Sequence, residues 1–167
     1  MQAWSERAIE EANLFNPAFC AMLLAQTADD FMKKAGRTVP FALAFLVLPI
    51  VLHPKTRTAL PGSTITSLLP WVQDNREHLV DFAVRVRRLI PITREALMFG
   101  ITHQALALDD RSGDLLVGGK RLTPTVRRTD LFTVEARECV DRAAFVGRWF
   151  AVAGTTSTIY SAWGVAP

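Results

Sequence analysis

Apolar side chains recur with a period of about 3.6 residues along most of the chain, and this pattern predicts a mainly α protein. Asn16 followed by Pro17 combines a good N-cap with a residue favoured in the first helical turn. Gly36 is the expected stop, so the sequence predicts a helix over 17–35. Further helices are expected over 6–14, 41–48, 130–152 and 155–163, with short helical turns over 55–60 and 66–72.

The middle of the chain combines helices with a change to strand-like spacing. A helix is predicted over 74–90, and a separate helix over 92–103 because Pro91 should interrupt the helical hydrogen bonds. Two short apolar runs then flank the turn sequence DRSGD, which predicts a β-hairpin over 104–119. Helix, helix and hairpin in this order indicate a winged-helix-like unit over about 74–119. A helical bundle with an incidental hairpin is the alternative.

The length of 167 residues fits a single domain, 1–167, and no internal repeat or linker divides the chain. Half of the residues are hydrophobic and only 21% are charged, which excludes an intrinsically disordered protein. The mean hydropathy of +0.19 is high for a domain of this size. The excess has two interpretations, namely an apolar surface that meets a partner or a well-filled core.

One uncharged stretch, residues 39–52, has some of the character of a membrane span. A span needs about 20 apolar residues, whereas Pro40 and Pro49 interrupt this shorter stretch. A buried helix is therefore expected instead, and no association with a membrane. The first residues lack the basic start and apolar run of a signal peptide, which favours a cytoplasmic protein.

Residues with reactive side chains do not form a recognisable catalytic pattern. Cys20 and Cys139 lie in apolar helical patterns and are expected as buried free thiols, as in a reducing cytoplasm. The best metal-type cluster is His78 with Asp74 and Asp81, but such a group near a helix start is more typical of solvent-facing polar side chains. The sequence contains no phosphate loop, nucleophile elbow or zinc motif. It therefore predicts no enzyme, no cofactor and no metal.

The positive charge is concentrated in the middle of the chain. Residues 76–128 hold ten Lys or Arg and six Asp or Glu, whereas 1–75 are balanced and 129–167 are slightly acidic. Arginine is suited to the carboxylates of a partner protein and also to nucleic-acid phosphates. A solvated surface is the third interpretation. The candidate partner or nucleic-acid surface consists of Arg85, Arg88, Arg94, Arg111, Lys120 and Arg121.

Two aromatic residues near the end of the sequence complete this candidate surface. Tyr160 and Trp163 are three positions apart on the predicted last helix, so they share one face. Tyrosine and tryptophan are common anchors of protein interfaces. Ordinary core packing is the alternative role for both side chains.

Short motifs in a fixed order extend over almost the whole chain, from about Trp4 to Val165. The longer ones are NPAFC at 16–20, PFALAFLVLPIVLH at 40–53, REAL at 94–97 and GRWF at 147–150. The shorter ones are Leu23-Leu24, Thr56-Arg57, Leu60-Pro61, Phe99-Gly100, TIY at 158–160 and WGV at 163–165. In their order, and in the small size of the chain, they resemble the middle component of three-component ABC systems, bacterial conflict systems that include Lamassu-type antiphage defence.

The resemblance implies a non-catalytic accessory subunit that bridges an SMC/Rad50-like ABC ATPase and an effector, often a nuclease. DNA is a further candidate partner, contacted through the complex, and a direct contact is left open. The resemblance supplies no catalytic residues. A stand-alone winged-helix transcriptional regulator that binds DNA is the alternative function. Such a regulator would be a soluble homodimer that shifts duplex DNA in a salt-dependent way.

Overall fold

A computed structural model describes residues 15–120 and 133–166. The helix predicted over 6–14 and most of the basic connector that follows the hairpin lie outside the described residues. The described part is built mainly from α-helices with one antiparallel pair of strands, so the predicted mainly α class is confirmed. In chain order the elements are α1 (Pro17–Ala35), α2 (Ala44–Val51), α3 (Pro54–Ala59), α4 (Leu68–Asp74), α5 (Phe82–Thr102), β1 (Leu106–Leu108), β2 (Leu115–Val117), α6 (Val134–Val152) and α7 (Thr156–Ala162).

Helix α1 begins and ends where its sequence predicts. The side-chain oxygen of Asn16 accepts hydrogen bonds from the backbone N–H groups of Ala18 and Phe19, at 2.9 and 3.3 Å. Gly36 adopts a left-handed conformation with a φ of 65°, and its N–H closes the last turn of the helix. Glycine adopts this conformation without the steric cost that a Cβ imposes. The helix predicted over 17–35 is therefore confirmed.

The core is built around the close packing of α1 against α6. At Gly147 the two helix backbones approach so closely that a Cβ atom would overlap the carbonyl oxygen of Thr27. The Thr27 hydroxyl lies 2.9 Å from the carbonyl of Leu23 and 3.1 Å from that of Ala143, so it links the two helices. The ring of Phe31 is fully buried one turn further along α1. Small residues at the crossing thus allow direct contact between the backbones.

Helix α2 departs from the prediction at both ends. The sequence predicts a helix over 41–48 that ends near Pro49, but Phe41–Leu43 form a 3₁₀ turn and α2 continues through the proline to Val51. A proline inside a helix costs about 3 kcal/mol, because one backbone hydrogen bond is lost. Seven of the eight α2 residues are buried, and this burial offsets the cost. No helix in the described part of the chain is long and apolar enough to cross a membrane.

Helix α5 is one continuous helix where the sequence predicts two. It starts after a 3₁₀ turn (Arg76–Leu79) and passes through Pro91 without interruption. The helix packs on α1 and α2, with Leu89 and Thr93 buried on either side of the proline. This packing keeps the two halves in line. The winged-helix-like unit over 74–119 is not confirmed, because the two helices that it requires are a single helix.

The β-hairpin predicted over 104–119 is present. Its two strands are antiparallel, with Ala107 opposite Leu116 at the centre. Val39 extends the pair, since its N–H donates to the carbonyl of Leu115 and its carbonyl accepts from the Leu115 N–H, at 3.0 and 2.8 Å. The hairpin is thereby held against the segment between α1 and α2.

Replacing Gly147 by alanine should destabilise the protein, although alanine is the better helix former by about 1 kcal/mol. The added Cβ would overlap backbone atoms of α1, which cannot move aside like a flexible side chain. We expect G147A to lower the free energy of unfolding by about 1–3 kcal/mol. Urea unfolding followed by circular dichroism measures the change.

The matched control is G62A, because a Cβ at Gly62 would meet no atom within 4 Å. Its free energy of unfolding should stay within about 0.5 kcal/mol of the wild-type value. A G147A protein as stable as the wild type would contradict the direct contact between α1 and α6.

Candidate functional site

A groove of about 1000 Å³ lies between α2, α3 and α5. Its walls are the end of α2, the start of α3, the residues around the turn before α5, and one face of α5 itself. Apolar, basic and acidic side chains line these walls. We call it the basic groove. The residues that define it are the apolar Leu52, Val84 and Ile92 and the basic Lys55, Arg85 and Arg88.

A chain of hydrogen bonds on one wall of the groove joins α3 to α5. His53 is the N-cap of α3, and its Nδ1 accepts from the backbone N–H of Thr56 at 3.3 Å. The Thr56 hydroxyl lies 2.8 Å from the same Nδ1, and Arg85 donates to that hydroxyl at 3.2 Å. Since arginine can only donate, the hydroxyl is free to give its own hydrogen to Nδ1. His53 therefore fits this wall as a neutral ring with an unprotonated Nδ1.

The charges around His53 also favour the neutral ring. Burial lowers the pKa of His53 below its ordinary value, and the positive charges of Arg85, His78, Lys55 and Arg57 lower it further. Burial lowers the pKa of Arg85 as well, but an arginine keeps its charge at neutral pH. Only the smaller, charge-dependent part of the His53 shift reflects the neighbouring basic side chains, whereas the carboxylate of Asp81 raises the pKa of Arg85 and so partly opposes its burial.

His78 packs against α4 rather than joining a metal-type cluster. Its ring stacks on Trp71, with 5.9 Å between the ring centroids and 6° between the planes. Its Nε2 lies 3.6 Å from the carboxylate of Glu77. Within residues 15–120 and 133–166, no group of three or more His, Cys, Asp or Glu side chains could hold a metal ion. The stacked ring therefore holds the turn before α5 in place.

Both cysteines are buried free thiols, as the sequence predicts. Burial raises the pKa of Cys20 to about 12 and that of Cys139 to about 11. A thiol with such a pKa is almost fully protonated at neutral pH and is a weak nucleophile. Neither cysteine lines the basic groove. They therefore contribute no reactive group to it.

Arg57 is a buried charge that ties α3 to α6. Its side chain is 4% exposed and forms ion pairs with Glu135 and Glu138, at 2.9 and 3.2 Å. It also donates to the carbonyl of Val51 at 3.1 Å. These partners offset the buried charge, although the Nε of Arg57 makes no hydrogen bond. Arg57 therefore serves the packing of α3 and so the position of His53 on the wall of the groove.

The structure divides the predicted basic residues of α5 between two faces. Arg85 and Arg88 line the basic groove, where Arg85 is half-buried and Arg88 is exposed. Arg94 is exposed as well, but it lies nine positions after Arg85, which is about 180° around the helix. The structure thus brings two of these arginines together and places the third on the opposite side.

The other basic residues of the predicted surface lie away from the groove. Arg111 is exposed in the turn between β1 and β2, where its backbone N–H donates to Asp109 at 3.0 Å. Lys120 is exposed just after β2, and its N–H donates to the carbonyl of Gln104. Arg121 lies outside the described residues.

Tyr160 and Trp163 belong to the core and not to an exposed surface. They are 6% and 0% exposed. The Tyr160 hydroxyl donates to the carbonyl of Ala42 at 2.6 Å, and the Trp163 ring stacks on Phe82 with centroids 4.5 Å apart. Their placement on a partner surface is therefore corrected. Helix α7 uses both side chains to close the core, which is the alternative that the sequence left open.

The residues that α2 and α3 contribute to the basic groove are not predicted from the sequence. Leu52, His53 and Lys55 lie far from Arg85 in the sequence, and only tertiary packing brings them together. One local signal was present, because a residue able to accept a hydrogen bond followed by Pro54 is typical of a helix start. That signal locates α3 but does not reveal what α3 faces.

Truncating Trp163 to alanine should remove a large part of the stability. A large aromatic side chain lost from a core costs about 3–5 kcal/mol, against a total of about 5–15 kcal/mol for a typical domain. The control is M98A, because Met98 is 64% exposed and its loss should cost less than about 0.5 kcal/mol. Thermal unfolding by circular dichroism compares the two. An unchanged melting temperature for W163A would contradict its role in the core.

Replacing Arg85 by methionine should raise the pKa of His53. Arg85 is the charge that lowers this pKa most, while burial, the larger cause, remains. Titration of the histidine ring signals by NMR measures the pKa. R88M is the control, since Arg88 is not among the groups that shift His53. If His53 had the same pKa in R85M as in the wild type, the contact of Arg85 with His53 through Thr56 would be contradicted.

The same shift sets a pH dependence of stability. The folded protein binds a proton on His53 less tightly than the unfolded chain does. Neutral His53 therefore contributes to the free energy of unfolding. This contribution is fully present above the pKa of the histidine in the unfolded chain, about 6.5, and is lost as the pH falls through its lower pKa in the folded protein. R85M should lose less stability over that range than the wild type.

Comparison with known proteins identifies the family of this chain. No curated protein and no solved structure matches it. A family model does match: that of the ABC-three component (ABC-3C) system Middle Component 3, over residues 4–167. The match covers almost the whole sequence and is not confined to one motif, so the chain belongs to the Middle Component 3 family of ABC-three component systems.

Proposed function

We propose that this protein is a non-catalytic accessory subunit that couples an SMC/Rad50-like ABC ATPase to a nuclease effector in Lamassu-type antiphage defence. The observation that carries the proposal is the family match over residues 4–167. Because the match includes every described helix and the hairpin, the fold with its basic groove belongs to the middle-component unit itself. A middle component implies partner subunits, and the surface of this fold is where they would bind.

The exposed residues of α5 support a role in binding proteins. Arg88 and Arg94 are exposed, and within the described residues neither has an ion-pair partner. Arginine makes bidentate contacts with the carboxylates of another subunit. Exposed apolar side chains lie close in sequence, namely Val80 at 67% and Met98 at 64%. Arginine together with apolar side chains is typical of the contact area between proteins.

The chemistry of the groove is consistent with a subunit that leaves catalysis to its partners. His53 and His78 both line the groove and are half-buried. The Nδ1 of His53 is engaged by Thr56, and the ring of His78 lies beside Glu77. We assign ATP hydrolysis to the ABC ATPase and nucleic-acid cleavage to the effector. Contact with DNA, in this proposal, occurs through the complex.

Co-expression with the ATPase and effector genes encoded beside its own tests the proposal. The tagged chain should retain both partners through affinity purification and gel filtration, because a middle component has to contact each of them. Deletion of the chain should abolish protection against phage while both partners are still produced. The chain purified alone should neither hydrolyse ATP nor cut DNA.

The control is the same purification with the tag on an unrelated protein of similar size. A chain that purifies as a homodimer without either partner, and shifts duplex DNA in a salt-dependent way, would favour the transcriptional regulator instead. ATP turnover by the isolated chain, abolished by a point substitution within it, would contradict the non-catalytic role.

A further inference from the structure

We propose that the basic groove binds an acidic amphipathic helix of a partner subunit. The proposal rests on the proposed function, because it assigns one surface of the middle component to one kind of partner element. Three properties of the groove lead to it: an apolar wall that stays partly exposed, an excess of positive charge, and a volume close to that of two helical turns.

The apolar wall gives the first argument. Val80 lies at the groove and is 67% exposed, and Val84 and Ile92 beside it are only half-buried. Covering such side chains removes apolar area from water, at roughly 25 cal/mol for each Å². An amphipathic helix supplies a matching apolar stripe, with residues at positions i, i+3, i+4 and i+7.

The positive charges at the groove determine which side chains the polar face of the bound helix should carry. Arg88 has no ion-pair partner within the described residues, and Lys55 is exposed on α3. Lys55 is also one of the charges that, after burial, lower the pKa of His53. Acidic side chains that flank the apolar stripe of a partner helix would lie against both positive groups. Complementary charge of this kind also accelerates association.

A protein fits this lining better than a nucleic acid does. Two carboxylates, those of Glu77 and Asp81, also line the groove. A phosphate backbone carries charge along its whole length and would meet both carboxylates as well as the apolar wall. A helix places its charges at chosen positions, so it can pair with Arg88 and avoid the carboxylates.

The volume agrees with a short helical segment. A helix about 10 Å across that rises about 1.5 Å per residue encloses about 120 Å³ per residue. The groove volume of about 1000 Å³ therefore corresponds to about eight residues. Eight residues make about two turns, enough to carry three or four apolar contacts on one face.

Site-specific photocrosslinking in the assembled complex identifies the occupant. A photoreactive amino acid replaces Val80, which lines the groove, and in the control it replaces Ile65, which is 91% exposed and does not line it. Mass spectrometry of the crosslinked peptides should show a glutamate- or aspartate-rich segment of the ATPase or the effector at position 80. The control position should give no crosslink to that segment.

A charge reversal tests the polar half of the proposal. R88E should weaken binding of that partner subunit, purified and measured by titration calorimetry, by about tenfold or more, because it places a carboxylate against carboxylates. K34E reverses the charge of an exposed lysine on α1 that does not line the groove, and it should change the affinity by less than about threefold. Circular dichroism of both variants shows that the comparison concerns binding and not folding.

The outcomes separate this inference from the proposed function. If the complex assembles but position 80 crosslinks to residues 1–14 of the same chain, to a second copy, to DNA or to nothing, the groove assignment is overturned and the bridging function stands. Equal effects of R88E and K34E on the affinity overturn it as well. If no complex with either partner forms, the proposed function fails and this inference fails with it.

Discussion

The direct contact between the backbones of α1 and α6 at Gly147 is the constraint on which the rest of the structure depends. No side chain separates the helices there, so backbone atoms fix their distance and crossing. The Thr27 hydroxyl links the same two helices, and the ion pair between Arg148 and Asp30 holds them at the edge of the crossing. Helices α2 and α5 then pack on α1, while Arg57 ties α3 to α6. The basic groove lies beside these contacts, along the end of α2, the start of α3 and one face of α5.

A cluster of aromatic rings connects the packing of α1 and α6 to the start of α5, which forms part of the groove. Trp149 of α6 meets Trp71 of α4 edge to face, with centroids 5.4 Å apart, and its indole N–H donates to the carbonyl of Thr66 at 2.7 Å. Trp163 of α7 contacts Trp71 and stacks on Phe82, the first residue of α5. The start of α5 is therefore fixed by three other helices. The groove wall that α5 forms begins close to Phe82. Core packing therefore fixes the position of this wall.

The sequence predicts those parts of the fold whose cause is local. Asn16 and Gly36 satisfy the free backbone groups at the ends of α1, so its limits follow from the residues themselves. The helix breaks expected at Pro49 and Pro91 do not occur, because the cost of a helical proline, about 3 kcal/mol, is offset by burial on both sides of it. The role of Trp163 was open for a related reason: an aromatic face is equally suited to a core and to an interface, and only the position of Phe82 decides between them. The candidate site shares this limit, since its two walls come from distant parts of the chain.

The continuity of α5 has a consequence for how one small subunit can contact two others. Arg85 and Arg88 face the groove, while Arg87 and Arg94 are exposed and lie seven positions apart, about two turns along nearly the same line of the helix. If the helix were interrupted at Pro91, the conformation of a loop would determine where Arg94 lies relative to Arg85. Because packing on α1 and α2 keeps the helix whole, the two basic faces have a fixed angle between them. A subunit placed between an ATPase and an effector, as we propose, would hold both partners at a defined orientation through this one rigid element.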